Sequence, residues 1–160
     1  MDGDTVLVAQ GTYSENLILE KEIVLASHAL NEDLNTQWIN NENIQETIIN
    51  GTLEPADPNY GSCLVIRDGN IAPTILGFTI QNGIGTSMVE NDTCEIVVQR
   101  PERSGGAILI YKAYPTIMYN RFINNGRGPA DDGNGSLAIS NGGAFGHFDD
   151  DDVEFDEDRN

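Results

Sequence analysis

The residues best suited to chemistry are oxygen donors in one short stretch of the chain. Asp131, Asp132, Asn134 and Ser136 supply carboxylate, amide and hydroxyl oxygens at nearly alternating positions. Hard cations such as Ca²⁺ take oxygen ligands from loops spaced in this way. Leu137 stands where a twelve-residue calcium loop has glycine, and the bidentate glutamate of such a loop is missing. The stretch predicts either a weak Ca²⁺ site or a plain glycine- and aspartate-rich turn.

Catalysis on an acidic sugar would need a different set of residues. Abstracting a proton next to a uronate requires an Arg or Lys base and further cations that neutralise the carboxylate. The candidate bases are scattered among acidic residues and build no cationic cleft: Arg67, Lys112, Arg121 and Arg127. We therefore assign no catalytic residue, and we predict no cofactor other than the Ca²⁺ considered above.

The two cysteines, Cys63 and Cys94, allow two interpretations. In an oxidising compartment a bridge between them would tie the segment around Cys94 to the strand that follows Cys63. Such a bridge stabilises a fold by roughly 3 to 4 kcal/mol. Alternatively, Cys63 is a small buried side chain. We favour the disulfide Cys63–Cys94.

Two aromatic residues are candidates for binding carbohydrate. Trp38 is the single tryptophan and lies in a polar, asparagine-rich segment, and Tyr114 precedes a proline. Aromatic rings of this kind stack on sugar rings, although they also pack beneath loops.

The charge of the chain limits the classes of partner. The net charge is −18, from 26 acidic and 8 basic residues. This balance repels phosphate backbones, which argues against nucleic acid as a partner, and it suits an extracellular or cell-surface protein. Residues 149–158 form a nearly continuous acidic run that predicts either a solvated tail or a calcium site. No apolar run approaches the length of a membrane span, so we predict no membrane insertion.

Two copies of one pattern, at residues 61–83 and 105–126, organise the middle of the chain. Both contain Pro-Thr-Ile and both end in Ile-x-Asn-Gly, an ending that also closes residues 48–51. Each copy holds short β-branched runs without a helical period. One copy cannot bury its own apolar face and must stack on the next. The repeats predict a solenoid of parallel β-coils, with Asn-Gly at corners in the left-handed conformation.

Stacking the copies predicts columns of side chains. Alternation points two of them inward: Leu64, Ile108 and Phe145, and Ile66, Ile110 and His147. Val65 and Leu109 would then form an apolar strip on the outer face, which is either covered by another segment or contacts another molecule. A third column places Lys112 between Asp68 and Asp149 in an exposed ladder, worth at most about 1 kcal/mol.

Three polar segments interrupt the pattern, at residues 28–45, 84–104 and 127–135. We predict that they are loops. The second and third leave directly after Ile-x-Asn-Gly, so we expect them to emerge at one corner of the solenoid, which is where such scaffolds carry their binding surfaces. Met1-Asp2-Gly3-Asp4 leads straight into a strand, and we expect a mature form or a segment of a longer protein.

The pattern from about Asp4 to Phe148 resembles a known class of repeat. It includes Gly-Asp-Thr-Val-Leu-Val-Ala, Gly-Thr-Tyr-Ser-Glu-Asn, Gly-Gly-Ala-Ile and Pro-Thr-Ile with a closing Asn-Gly. These motifs resemble the right-handed parallel β-helix repeats of the pectate-lyase-like superfamily, particularly in secreted or surface proteins of bacteria. The resemblance implies an all-β fold, a single-stranded right-handed parallel β-helix with loop insertions at one corner. Residues 1–148 would form that domain, and residues 149–160 the acidic tail.

The resemblance implies less about activity, because the superfamily includes lyases, glycosidases, adhesins and repeats without known activity. Asp131-Asp132-Gly133 and Gly146-His147-Phe148 are partly similar to motifs of polygalacturonase-like enzymes. Phe148 replaces a glycine of that motif, and the accompanying Asn-x-Asp and Arg-x-Lys are missing.

We therefore expect a non-catalytic extracellular module with a structural, adhesive or filament-forming role. Its loops would bind carbohydrate or Ca²⁺, and its uncapped ends would allow end-to-end self-association. The alternative is a polysaccharide lyase or glycoside hydrolase, or a fragment of one, acting on acidic polysaccharide.

Overall fold

The computed structural model describes residues 1–51, 60–87, 103–126, 140–141 and 145–148. Within these ranges the fold is all-β, with four four-stranded sheets and a few short helices. In chain order the strands are β1 (Thr5–Val8), β2 (Gly11–Ser14), β3 (Leu17–Leu19), β4 (Val24–Ser27), β5 (Thr47–Asn50), β6 (Tyr60–Gly61), β7 (Leu64–Ile71), β8 (Thr74–Leu76), β9 (Thr79–Gln81), β10 (Gly85–Ser87), β11 (Arg103–Ser104), β12 (Ile108–Ala113), β13 (Thr116–Met118), β14 (Arg121–Ile123), β15 (Ser140–Asn141) and β16 (Phe145–Phe148).

The chain visits three of the sheets in rotation. Sheet 1 has the order β1-β4-β8-β13, sheet 2 the order β2-β5-β9-β14 and sheet 3 the order β3-β7-β12-β16. All neighbours in these three sheets pair in parallel. We name the successive rounds coil 1 (β1, β2, β3), coil 2 (β4, β5, β7), coil 3 (β8, β9, β12) and coil 4 (β13, β14, β16). This arrangement is compatible with the predicted solenoid.

The predicted register of sheet 3 is confirmed. Ile108 pairs with Leu64 on one side and with Phe145 on the other. Two positions later, Ile110 pairs in the same way with Ile66 and His147. Short β-branched and aliphatic strands suit this arrangement because their side chains fill a pleated, buried surface.

The main core lies where sheets 1, 2 and 3 face one another. One hydrophobic cluster takes Ile75 from sheet 1, Ile80 from sheet 2 and Ile108 from sheet 3, together with the buried ring of Phe78. All four side chains belong to coil 3, and the same cluster includes Leu25, Ile49 and Leu64 of coil 2, so neighbouring coils complete one core.

The outer side of sheet 3 differs from the simplest expectation. Val65 and Leu109 pair with each other, as predicted, but their exposures are only 1% and 2%. The predicted apolar strip is therefore buried, which is the covered form of the two that the sequence allowed.

Sheet 4 breaks the parallel rule. It has the order β15-β11-β10-β6, and β10 pairs antiparallel with both β6 and β11. Strands β10 and β11 begin and end the second of the three predicted loops, so part of that segment forms regular structure beside the coils.

The predicted loop at residues 28–45 contains short helices instead, which extend to residue 46. They comprise 3₁₀ turns at His28–Asn31 and Trp38–Asn40 and α-helices α1 (Leu34–Gln37) and α2 (Glu42–Glu46). Ser27, Asp33 and Asn41 cap them, because each side chain accepts a hydrogen bond from a backbone N–H two or three residues later. Buried side chains of the helices pack on Ala26 and Leu76 of sheet 1 in a second hydrophobic cluster.

The Asn-Gly corners stack on one another. Asn82 has the expected left-handed backbone, with φ 62°, and Gly126 has φ 96°, whereas neither Asn50 nor Gly51 has a positive φ. The backbone N–H of Gly126 donates to the carbonyl of Gly83 at 2.9 Å. The second and third predicted loops therefore start from points directly above one another.

Close approach, rather than φ, explains glycine at position 83. A Cβ at Gly83 would lie 1.9 Å from the carbonyl oxygen of Gly106 and 2.8 Å from Sγ of Cys63. Backbone therefore passes backbone at a distance that no side chain tolerates.

Gly83→Ala tests this contact. We expect a loss of at least about 3 kcal/mol in the free energy of unfolding, because the added methyl group meets backbone that cannot rotate away. Gly3→Ala is the matched control: it has open space around it but φ 82°, so it should cost only about 1 to 2 kcal/mol. Chemical denaturation measures both, and equal losses would contradict the close-approach explanation.

A pair of buried threonines gives a second test. Among the described residues the hydroxyl of Thr47 has no hydrogen-bond partner, whereas that of Thr79 donates to the carbonyl of Ile44 at 2.8 Å. Thr47→Val should therefore raise the free energy of unfolding by about 1 kcal/mol, and Thr79→Val should lower it by about 1 kcal/mol. Urea titration of the two variants measures the difference, and shifts of the same sign would refute the assignment.

Candidate functional site

Asparagine side chains connect the corners of neighbouring coils. Oδ1 of Asn125 accepts a hydrogen bond from the backbone N–H of Gly83 at 2.9 Å, and its Nδ2 donates to the carbonyl of Ile80 at 2.8 Å. Asn120 makes the same pair of bonds at the preceding turn, also to the main chain of the coil before it. Each amide thus accepts from a main-chain N–H that lies outside the strands and donates to the carbonyl of a strand residue in the neighbouring coil.

At a third corner, side chains of two successive coils hydrogen-bond to each other. Oδ1 of Asn50 accepts hydrogen bonds from Nε2 of Gln81 at 3.0 Å and from Nδ2 of Asn82 at 2.7 Å. The polar groups of the corners are therefore occupied in holding one coil to the next. The Asn-Gly repeats predicted Asn50, Asn82 and Asn125 as corner residues but not these hydrogen bonds between coils, for which their recurrence at equivalent positions was the available signal.

Cys63 lies buried beside the same corner. Its Sγ donates to the carbonyl of Gln81 at 3.2 Å and lies 3.7 Å from Oδ1 of Asn125. Burial raises the pKa of the Cys63 thiol from its ordinary value of 9.0 to about 11, against the lowering effect of nearby backbone hydrogen bonds. A thiol kept neutral in this way is a poor nucleophile and a poor metal ligand. Cys94 lies outside the described residues, so the disulfide Cys63–Cys94 stays a prediction.

The two predicted sugar-binding aromatics have different environments. Trp38 is half-buried against the second hydrophobic cluster, and its ring centroid lies 6.3 Å from that of Tyr119 at an interplanar angle of 57°. The hydroxyl of Tyr119 hydrogen-bonds to Oδ1 of Asn35 at 3.3 Å. Tyr114 lies between β12 and β13 and is 56% exposed. The ring of Trp38 thus contacts Tyr119, a residue that no sequence motif indicated.

Arg67, one of the scattered bases considered above, lies in β7 and hydrogen-bonds to Tyr60 of β6 and to Glu20, which follows β3. Its Nε and Nη2 donate to Oε1 of Glu20 at 2.9 and 2.8 Å, and its Nη1 donates to the hydroxyl of Tyr60 at 2.6 Å. The guanidinium carbon also lies 5.4 Å from the centre of the Tyr60 ring. Because Glu20 and Arg67 are partly exposed, the ion pair contributes at most about 1 kcal/mol.

The predicted ladder of Asp68, Lys112 and Asp149 falls at an irregularity. The register of β12 on β7 holds at Tyr111 with Arg67 and shifts before Ala113, and Lys112 has φ 51°. The Lys112 ammonium lies 5.3 Å from the centre of the Tyr111 ring. The side chain of Asp68 and all of Asp149 lie outside what the structure describes, so the ladder remains a prediction.

The predicted calcium ligands, Asp131, Asp132, Asn134 and Ser136, also lie outside the described residues. In the ranges that are described, no group of three or more His, Cys, Asp or Glu side chains is placed to hold a metal ion. Over the same ranges, no helix has the length and apolar character needed to cross a membrane.

Comparison with known proteins gives no relative. No family model, curated protein or solved structure matches the chain.

The buried state of Cys63 is open to a chemical test in Cys94→Ser, which leaves one thiol. Near pH 8 that thiol should react with a thiol-specific reagent about 100-fold more slowly in the folded chain than in guanidinium, because its pKa is about two units higher when folded. The stability contributed by the neutral thiol is fully present below pH 9.0 and is lost as the pH rises through about 11. Similar rates in both states would contradict the burial.

Proposed function

We propose that the four coils belong to a right-handed parallel β-helix. The support is the strict rotation among sheets 1, 2 and 3, with each strand pairing in parallel with its equivalent in the next coil. Connections between parallel strands of one sheet are right-handed in about 98% of cases. An experimental structure in which the chain winds with the opposite hand would overturn this part of the proposal.

On this scaffold we propose a non-catalytic extracellular module with a structural or adhesive role. The observation that carries the proposal is the use of corner asparagines such as Asn125 and Asn120 to bond one coil to the next. Polar side chains of the type that active sites use here form hydrogen bonds between successive coils. The net charge of −18 fits a highly hydrated surface in an extracellular medium.

The proposal includes binding of carbohydrate or Ca²⁺ at the loops. The exposed ring of Tyr114 offers a face for a sugar ring, and the pair formed by Trp38 and Tyr119 offers an edge with the amide of Asn35 beside it. Ca²⁺ would be taken by the oxygen-rich stretch around Asp131 and Asn134.

Binding without turnover is the expected result. Affinity electrophoresis through gels containing polyuronates or neutral glucans, with Ca²⁺ or with a chelator, measures binding, and release of reducing or unsaturated ends measures cleavage. We expect retardation by at least one polysaccharide and no product. Tyr114→Ala should weaken the retardation at least about tenfold, as expected when a main stacking contact is removed.

Ile39→Ala is the control, because Ile39 is also a large exposed side chain but has no aromatic face. It should migrate like the unaltered protein. Cleavage of a polyuronate by the purified chain would replace the structural function with a polysaccharide lyase or glycoside hydrolase. A complete lack of retardation would remove the carbohydrate-binding part of the proposal.

A further inference from the structure

Three Asn-Gly pairs lie at described corners of the stack: Asn50-Gly51, Asn82-Gly83 and Asn125-Gly126. Two further pairs, at Asn134 and Asn141, lie wholly or partly outside the described residues. Such a pair can modify itself, because glycine has no side chain to hinder attack by its main-chain nitrogen on the amide carbon of the preceding asparagine. The nitrogen loses its proton to a base and bonds to Cγ, and the amide nitrogen leaves as ammonia. Water then opens the succinimide ring at either carbonyl, which gives aspartate or isoaspartate.

The stack holds the attacking nitrogen at all three described corners. The N–H of Gly51 donates to the carbonyl of Gln81 at 2.8 Å, and that of Gly126 donates to the carbonyl of Gly83 at 2.9 Å. The N–H of Gly83 donates to Oδ1 of Asn125 at 2.9 Å. Each acceptor belongs to a neighbouring coil. The nitrogen must give up this hydrogen bond before it can lose its proton, so the reaction requires two coils to separate locally.

The acceptor for Gly83 differs in kind from the other two. Gly51 and Gly126 donate to main-chain carbonyls, whereas Gly83 donates to a side-chain amide. That amide is anchored in turn by its Nδ2, which donates to the carbonyl of Ile80 at 2.8 Å. One side chain of coil 4, that of Asn125, therefore determines whether the nitrogen of Gly83 is available.

The amide of Asn82, which the nitrogen would attack, is held as well. Nδ2 of Asn82 donates to Oδ1 of Asn50 in coil 2 at 2.7 Å. The main-chain N–H of Asn82 donates to the carbonyl of Ile123 in coil 4 at 3.2 Å. The attacking nitrogen is thus bonded to coil 4 and the amide to coil 2, and this division between two neighbours opposes ring closure.

Neither product of the reaction fits the corner. Aspartate at position 82 has no Nδ2 donor, so its carboxylate would face the Oδ1 acceptor of Asn50. Isoaspartate lengthens the main chain by one carbon immediately before Gly83. At Gly83 even an added Cβ would lie 1.9 Å from the carbonyl oxygen of Gly106. A corner that has reacted is therefore unable to stack again in the same way.

We propose that Asn82 is a self-modification site that records the separation of coils 3 and 4, and that Asn125 protects it while the coils are stacked. When coil 4 lifts from coil 3, Gly83 loses its acceptor and the ring closes. The product cannot restack, so the chain carries an irreversible mark of having opened. The reaction needs water as its co-reactant, and the site is independent of the module function proposed above.

Prolonged incubation at mildly alkaline pH, of the folded chain and of the chain in guanidinium, measures the reaction. Trypsin cuts after Lys and Arg, so Asn50, Asn82 and Asn125 fall in separate peptides, and mass spectrometry follows the conversion of each amide to an acid. We expect Asn82 to react at least about 100-fold more slowly in the folded chain, since the open form is the one that reacts. Equal rates in the two states would overturn the proposal, and this comparison needs no variant.

Two alanine variants separate protection from stability. Asn125→Ala removes the acceptor for Gly83 and should speed the reaction at Asn82 about tenfold, the factor expected when one hydrogen bond is lost. Asn120→Ala is the matched control, because Asn120 makes an equivalent pair of bonds to the main chain of coil 3. It should leave the rate at Asn82 within about twofold of that in the unaltered protein.

Asn125→Asp tests the acceptor itself, because it keeps an acceptor oxygen and loses the Nδ2 donor. Its reaction at Asn82 should be slower than in Asn125→Ala, even if the variant is the less stable of the two. Asn50 is the internal reference in every sample, since its glycine donates to a main-chain carbonyl. An unchanged rate at Asn82 in Asn125→Ala, or equal acceleration at Asn50 and Asn82, would refute the protective role of Asn125.

The irreversible part of the proposal has its own comparison. Asn82→Asp reproduces one product, and Asn124→Asp adds the same charge at an exposed neighbour with a similar left-handed backbone, φ 53° against 62°. In urea titration Asn82→Asp should unfold at the lower denaturant concentration. Equal midpoints would mean that the reacted corner still stacks, and the record of opening would then be lost.

Discussion

The hydrogen bonds between the main chains of successive coils determine the rest of this structure. Parallel strands lie about 4.8 Å apart, so residues that pair in register lie directly on one another in successive coils. Apolar positions such as Ile75 and Ile80 then form continuous columns. Corner amides such as Asn125 then come within hydrogen-bonding distance of the main chain of the neighbouring coil. The apolar columns of the core and the hydrogen bonds at the corners both follow from this repeated spacing between coils.

The sequence predicted this repeat because like residues recur at equal intervals. The columns of sheet 3 follow from aligning Leu64 with Ile108, and the structure has that register. The helices in residues 28–46 could not be found in this way, since they have no counterpart in the other coils. Their local signals were the capping residues Ser27, Asp33 and Asn41, in a stretch whose polar composition favoured a loop. Periodicity predicts what is repeated, and insertions must be recognised by their own capping and burial.

For the candidate site residues, too, the sequence predicted some properties and not others. Trp38 was found by its rarity, but its contact with Tyr119 joins residues far apart in sequence and depends on how the helical segment lies on sheet 1. Burial of Cys63 was one of the two interpretations that the sequence allowed, whereas the closeness of Asn125 required the register of two coils. The sequence showed which residues had suitable side chains, but it did not show which of those side chains contact one another.

The stacked glycine corners make the spacing of the coils independent of the length and composition of the loops that begin there. Gly83 and Gly126 bond to each other through backbone atoms alone, so the contact is independent of the side chains in the segments that leave from them. Closing a longer loop costs only about 0.6 kcal/mol for each doubling of its length. Such a corner lets the excursions change in length and composition while the pitch of the scaffold stays constant. Variation in what the molecule displays is thereby uncoupled from the architecture that displays it.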